Sequence, residues 1–179
     1  MLFRSVFELT YAAWDANGVS VTETKRFTVD AGRNLDQVDS TYTFSGADEI
    51  TIAIGLNKTP RNATYKTGAD EKNGWISNWA VYAPTPATKR KPAVPSQGSI
   101  GIAALLPVGA TAGLAEDDGN NYILTKAASG KPVRYYVGAC WDRDGTGRFS
   151  DKASWETYLN DLALRLKHPL KITLPPVSK

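Results

Sequence analysis

The sequence predicts a mainly β protein, an antiparallel β-sandwich with one C-terminal α-helix packed on a sheet. Three observations predict it. Apolar residues alternate with polar ones at period two through most of the chain. The alternating runs are separated by Gly, Asn, Asp and Pro clusters, which favour an antiparallel meander over βαβ units. A single stretch near the C-terminus carries helical periodicity instead.

The first run, LFRSVFELTYAAW, places Phe3, Phe7, Leu9 and Tyr11 on one face and Arg4, Glu8 and Thr10 on the other. Asn17-Gly18 is a hairpin signal, because both residues tolerate positive φ. The return run VSVTETKRFTVD sets Val19, Val21, Glu23, Lys25, Phe27 and Val29 on one side and Thr22, Thr24, Arg26 and Thr28 opposite. LDQVDSTYTFSG and DEITIAIGL follow, the latter with Ile50, Ile52, Ile54 and Leu56 in strict alternation. NGWISNWAVYA, SIGIAALLP, NNYILTKA and KPVRYYVGACW complete the strand candidates. In SDKASWETYLNDLALRLKHPL, Trp155, Leu159, Leu162 and Leu166 form one apolar stripe. Ser150 or Asp151 is a fit N-cap, and Pro169 ends the helix.

Composition narrows the function classes. The 179 residues fit one domain of residues 1–179, with a net charge of +3. That charge is too small and too scattered to argue for nucleic acid, and the Lys89-Arg90-Lys91 run reads as a solvated Pro-rich loop. No apolar run approaches the roughly 18 residues of a membrane-spanning helix. The lone Cys140 offers no intrachain disulfide. MLFRSVFELTY lacks the basic and apolar regions of a signal peptide and alternates from its first residues. The chain is therefore expected to be the C-terminal part of a longer protein.

Few residues invite chemistry. His168, the only histidine, sits at a helix end where it is accounted for by capping. DRDGTG at Asp142–Gly147 resembles the start of a calcium loop, yet Arg148 stands where a ligand is wanted, so a turn is the better reading and no metal or cofactor is expected. Alternation puts Arg134, Tyr136, Gly138 and Cys140 on one face, where small residues leave room for a ligand. Val133, Tyr135, Val137, Ala139 and Trp141 on the other face look like core. An arginine can neutralise a carboxylate, and a tyrosine with a lowered pKa can exchange a proton. Arg26 is a second cation of this kind, and an exposed strand face is the plain alternative for each. Trp75 and Trp79 share a face and could stack on sugar rings, although core packing uses the same residues.

The segments VFELTYAAWDANGVSVTETKRFTVDAGRNLDQVDSTY, YYVGACWDRDG and WETYLNDLALRLKHPLKI resemble a bacterial family, the domain of unknown function numbered forty-eight sixty-one, associated with polysaccharide utilisation. The resemblance implies a β-supersandwich, similar to galactose-mutarotase-like folds and to the β domains of polysaccharide lyases. It implies a carbohydrate-active protein, most concretely an oligosaccharide dehydratase or lyase-like enzyme eliminating across uronate-bearing fragments. Such a reaction needs a carboxylate neutraliser, a base and an acid for the leaving group. Lys25, Arg26, Tyr135, Tyr136 and Trp141 are the matched positions, with Arg26, Arg134 and Tyr136 as catalytic candidates. Trp75, Trp79, Lys25, Tyr135 and Trp141 are the binding candidates. Family members are longer, so a missing N-terminal half of the same protein is an expected partner and would hold any histidine base. The other expected partner is an oligosaccharide or polysaccharide, and the expected location is periplasmic or secreted. A non-catalytic carbohydrate-binding sandwich and a mutarotase-like epimerase are the alternatives.

Overall fold

Residues 3–58 and 63–171 are described by a computed structural model in which strands dominate. β1 (Arg4–Ala16) and β2 (Val19–Asp30) form the first hairpin, and β3 (Leu35–Phe44) extends it. At the hairpin tip Asn17 and Gly18 take φ of 57° and 88°, and the Asp15 carboxylate accepts the Gly18 N–H at 3.1 Å. The chain continues through β4 (Glu49–Asn57), β5 (Ala63–Asp70), β6 (Trp75–Tyr82), β7 (Gly98–Leu105), β8 (Gly113–Glu116), β9 (Asn120–Ala128) and β10 (Pro132–Trp141) to α1 (Lys152–Lys167). β5 and β8 carry little alternation and were absent from the sequence reading.

The strands form two antiparallel sheets. The larger runs β1-β2-β3-β10-β7-β6-β5 and the smaller β4-β9-β8. β10 does not pair with its sequence neighbour β9. It slots between β3 and β7, with Arg134 opposite Asp39 and Tyr136 opposite Leu105.

Side-chain alternation assigns each face of the large sheet to a different cover. Val38, Ile76, Ala104 and Tyr135 pack against Leu56 and Ile123 of the small sheet. Trp75, Trp79, Leu105, Tyr136 and Cys140 pack against Trp155, Leu159 and Ala163 of α1. A third cluster, Val21, Tyr42, Phe44 and Ala127, continues under Ile50 and Ile52 toward the β1 side. The molecule is thus three layers, helix over large sheet over small sheet.

The helix begins as the sequence suggests. Asp151 accepts the Ser154 N–H at 2.8 Å while Ser154 Oγ accepts the Asp151 N–H at 3.2 Å, a reciprocal capping box. Trp155 and Leu159 are fully buried, and Leu162 and Leu166 pack at the margin of the same cluster. Burial of two such side chains stabilises the docked helix by roughly 1.5–3 kcal/mol each. Gly101 makes the approach possible. A Cβ there would come within 2.7 Å of Cys140 Sγ and 2.9 Å of the Trp155 indole. Phe149 seals the end of this layer, edge-on to Trp155 and Tyr158 at 5.3 and 5.6 Å.

One local expectation changes, and one holds. Trp141, expected in the core, is 44% exposed, because the cover of the small sheet ends at Ile102 and Val137 along this strand pair. Its indole N–H donates instead to the Gln97 carbonyl at 2.8 Å. DRDGTG is a turn in which Asp144 accepts from the Thr146 N–H and hydroxyl at 2.8 and 2.7 Å. Among the described residues no helix is long and apolar enough to cross a membrane.

Candidate functional site

The residues nominated from the sequence do not converge on one place. Arg26 and Arg134 lie on the helix-side face of the large sheet, in one row with Glu8 and Asp39. Register sets Glu8 opposite Arg26, Arg26 opposite Asp39, and Asp39 opposite Arg134. Charges therefore alternate across four strands. Arg26 donates to Glu8 at 2.9 Å, and Arg134 holds Asp39 through two contacts at 2.7 and 3.3 Å. Each cation already has a carboxylate.

The space expected above Gly138 and Cys140 is occupied. A Cβ on Gly138 would meet the backbone of Asn34 and Leu35, and Cys140 sits beneath Trp155. Tyr136 is only 6% exposed, and burial raises its phenol pKa despite the opposing effect of Arg134. The expected lowering is reversed, so Tyr136 is a donor at neutral pH rather than a base. Trp75 and Trp79 are 4% and 5% exposed under α1, and the Trp75 indole N–H donates to Asn160 Oδ1 at 2.9 Å. Neither indole presents an open face to a sugar while the helix stays docked.

Lys25 and Tyr135 belong to the opposite face, and there the structure does gather functional groups. The inner face of β2 runs Val21, Glu23, Lys25 and Phe27, so two charges interrupt an apolar strand face. Register sets Glu23 between Tyr11 on β1 and Tyr42 on β3, and Lys25 opposite Ser40. Glu23, Tyr42 and Tyr135 are each nine-tenths buried, and Ser40 is wholly buried. The Lys25 ammonium lies 3.6 Å from Glu23 Oε1 and 5.1 Å from the centre of the Tyr11 ring. Tyr135 and Ser40 hydroxyls pair at 3.3 Å. A cavity of about 290 Å³ opens beside them, walled by Trp14, Glu23, Lys25, Tyr42 and residues Ile50–Ala53 of β4.

The electrostatics assign roles. Burial pushes the Tyr42 phenol up strongly, and the adjacent Glu23 charge pushes it further. Burial also raises Tyr135, partly offset by Ser40 and Lys25. Both phenols are therefore proton donors near neutral pH. Among the described residues Glu23 is the one carboxylate lining the cavity and Lys25 the one cation. The Glu23 Oε1 is buried with no hydrogen-bond partner among the described residues, 3.6 Å from the Lys25 ammonium and next to the Tyr42 phenol. A buried carboxylate oxygen with unused acceptor capacity can accept a hydroxyl from a ligand.

Glu23, Tyr42, Ser40, Tyr11 and Trp14 were missed in the sequence. The available signal was the pair of charges in VTETKRF on a face otherwise made of Val and Phe. A β-bulge between Tyr11 and Trp14 hid the last contributor, because it shifts Trp14 onto the Val21 register and the cavity face. Among the described residues no group of three or more His, Cys, Asp or Glu side chains converges, and no metal centre is assigned.

Comparison with known proteins places this geometry in context. The chain is 26% identical to uncharacterized protein P7 of Formosa agariphila, over 96% of its own length and 40% of that relative's. It thus spans about two-fifths of the curated relative that it matches. Residues 3–172 match a single family model throughout, and the chain belongs to the family described as Domain of unknown function (DUF4861).

Proposed function

We infer that this chain supplies the sheet scaffold and a proton-transfer cluster of a carbohydrate-active protein, one that eliminates across uronate-bearing oligosaccharide fragments. The observation that carries the reading is the meeting of Glu23, Lys25 and Tyr42 in one cavity beside Tyr11 and Trp14. Elimination next to a carboxylate needs a cation to neutralise that carboxylate, a base for the acidified proton and an acid for the departing oxygen. Lys25 fits the first role and Glu23 the second. Tyr42 or Tyr135, kept protonated by burial, fits the third. Tyr11 and Trp14, 41% and 39% exposed, give apolar faces on which a sugar ring can stack.

Elimination creates a conjugated double bond, so ultraviolet absorbance on uronate oligosaccharides reports it directly. The polypeptide that carries this chain is expected to show the rise, and Glu23→Gln or Lys25→Met to abolish it. No absorbance change across a panel of uronate oligosaccharides refutes elimination. The half-exposed aromatics favour a second reading, saccharide binding without turnover. In that case Trp14→Ala loses binding while Glu23→Gln keeps it, and no variant shows turnover.

A further inference from the structure

The other face of the molecule carries a second concavity, separated from Glu23 and Lys25 by the thickness of the large sheet. It measures about 240 Å³ and lies between the β2–β3 turn and the C-terminal half of α1. Arg33, Arg148 and Arg165 contribute to its lining, with Tyr136 and the apolar Leu35 and Leu162. Among the described residues no Asp or Glu lines it.

The three guanidiniums are poorly neutralised. Among the described residues Asp30 is the only acid within ion-pair reach, at 3.7 Å from Arg33, and it is already held by Arg4 at 2.6 and 2.8 Å. Among the described residues Arg165 donates only to a backbone carbonyl, that of Asp161, at 3.1 Å. Arg148 has no hydrogen-bond acceptor for its side chain among the described residues. Its guanidinium is instead held over Phe149 and Tyr158, 5.1 and 4.8 Å from the ring centres. Asp144 senses the Arg148 charge, but its carboxylate is turned onto Thr146. Tyr136 lines the same concavity, nine-tenths buried as a residue, and its hydroxyl has no hydrogen-bond partner among the described residues.

We propose that the Arg33–Arg148–Arg165–Tyr136 concavity is a binding site for an oxyanion group, a carboxylate or a sulfate. Planar guanidinium forks match the paired oxygens of such groups, and stacking on two rings fixes one fork in advance. The Tyr136 hydroxyl supplies a further donor. Apolar walls at Leu35 and Leu162 suit an anion carried on an organic ring better than a free ion. The site stands independently of the Glu23–Lys25 reading.

The test is a titration of the isotope-labelled chain with sodium sulfate and, separately, with sodium glucuronate, at constant ionic strength against chloride. Saturable chemical-shift changes at Arg33, Tyr136, Arg148 and Arg165 are expected. Arg148→Gln and Arg165→Gln should each weaken binding about tenfold, the loss of one charge-assisted hydrogen-bonding partner. Tyr136→Phe should weaken it by less. Tighter binding of glucuronate than of sulfate assigns the site to a ring-borne carboxylate, and the reverse assigns it to sulfate. Shifts that stay linear with both anions overturn the proposal, as does an unchanged response in Arg148→Gln and Arg165→Gln.

Discussion

Replacing Lys25 with methionine isolates the electrostatics of the candidate site. The substitution keeps the length of the side chain and its packing stem but removes the ammonium, leaving the Glu23 carboxylate at 7% exposure with no cation beside it. At the observed 3.6 Å, two unit charges attract by about 4–5 kcal/mol at an effective dielectric near 20. Lys25 keeps 26% of its side chain in water, so screening brings the loss toward the range of exposed pairs. The balance is a destabilisation of about 2 kcal/mol at neutral pH, or a Tm lower by about 4–8 °C for a chain of this size. Denaturant unfolding at pH 7 measures it. Glu23→Gln in the Lys25→Met background should recover most of the loss. A Lys25→Met chain as stable as its parent at pH 7, or a double variant less stable than Lys25→Met, refutes the assignment of a buried charge pair.

The remaining predictions concern the helix layer. Leu159→Ala leaves a cavity under α1 at a fully buried site and should cost about 2–5 kcal/mol in denaturant unfolding. Cys140, whose thiol burial pushes up to about 12, should resist alkylation at pH 8 in the folded chain and react promptly once unfolded. The Asp151 carboxyl is held below its usual range, first by the Ser154 N–H. Its stabilising effect is therefore full above the unfolded carboxyl pKa, near 4, and is lost as pH falls through the lower folded value. Thermal melts of Asp151→Ala should fall below the parent at pH 6 and converge with it near pH 2.

Strands with one face on a core were legible in the sequence, and so was the capped, striped helix. Alternation in β2, β3 and β9 follows from having chiefly one buried partner layer. β5 was not legible because it is an edge strand, with Tyr65 and Lys66 both exposed and no apolar face to betray it. Trp75 and Trp79 were correctly placed on one face. Which layer would cover that face depended on a helix some 80 positions away along the chain. Their burial was a tertiary fact. Lys25 and Tyr135 were named from a resemblance, but their neighbours Glu23 and Tyr42 come together only through the pairing of three strands. Proximity across a sheet is written in register, and register cannot be read from any one strand.

The place of β10 between β3 and β7 has a consequence for how the chain reaches this structure. The N-terminal hairpins can zip locally, but the large sheet stays in two pieces until residues 132–141 arrive to join them. The joining contacts link residues as far apart as Asp39 and Arg134, so loop closure precedes the reward of burial. Folding should accordingly be slow for a chain of this size, in the millisecond-to-second regime of non-local β topologies. It should also be late during synthesis. Until β10 and α1 emerge from the ribosome, β3 and β7 offer unpaired edges and Trp75 and Trp79 lie uncovered. The stretch from β10 through α1, in the last quarter or so of the chain, is the clasp that turns two adhesive half-sheets into one protein.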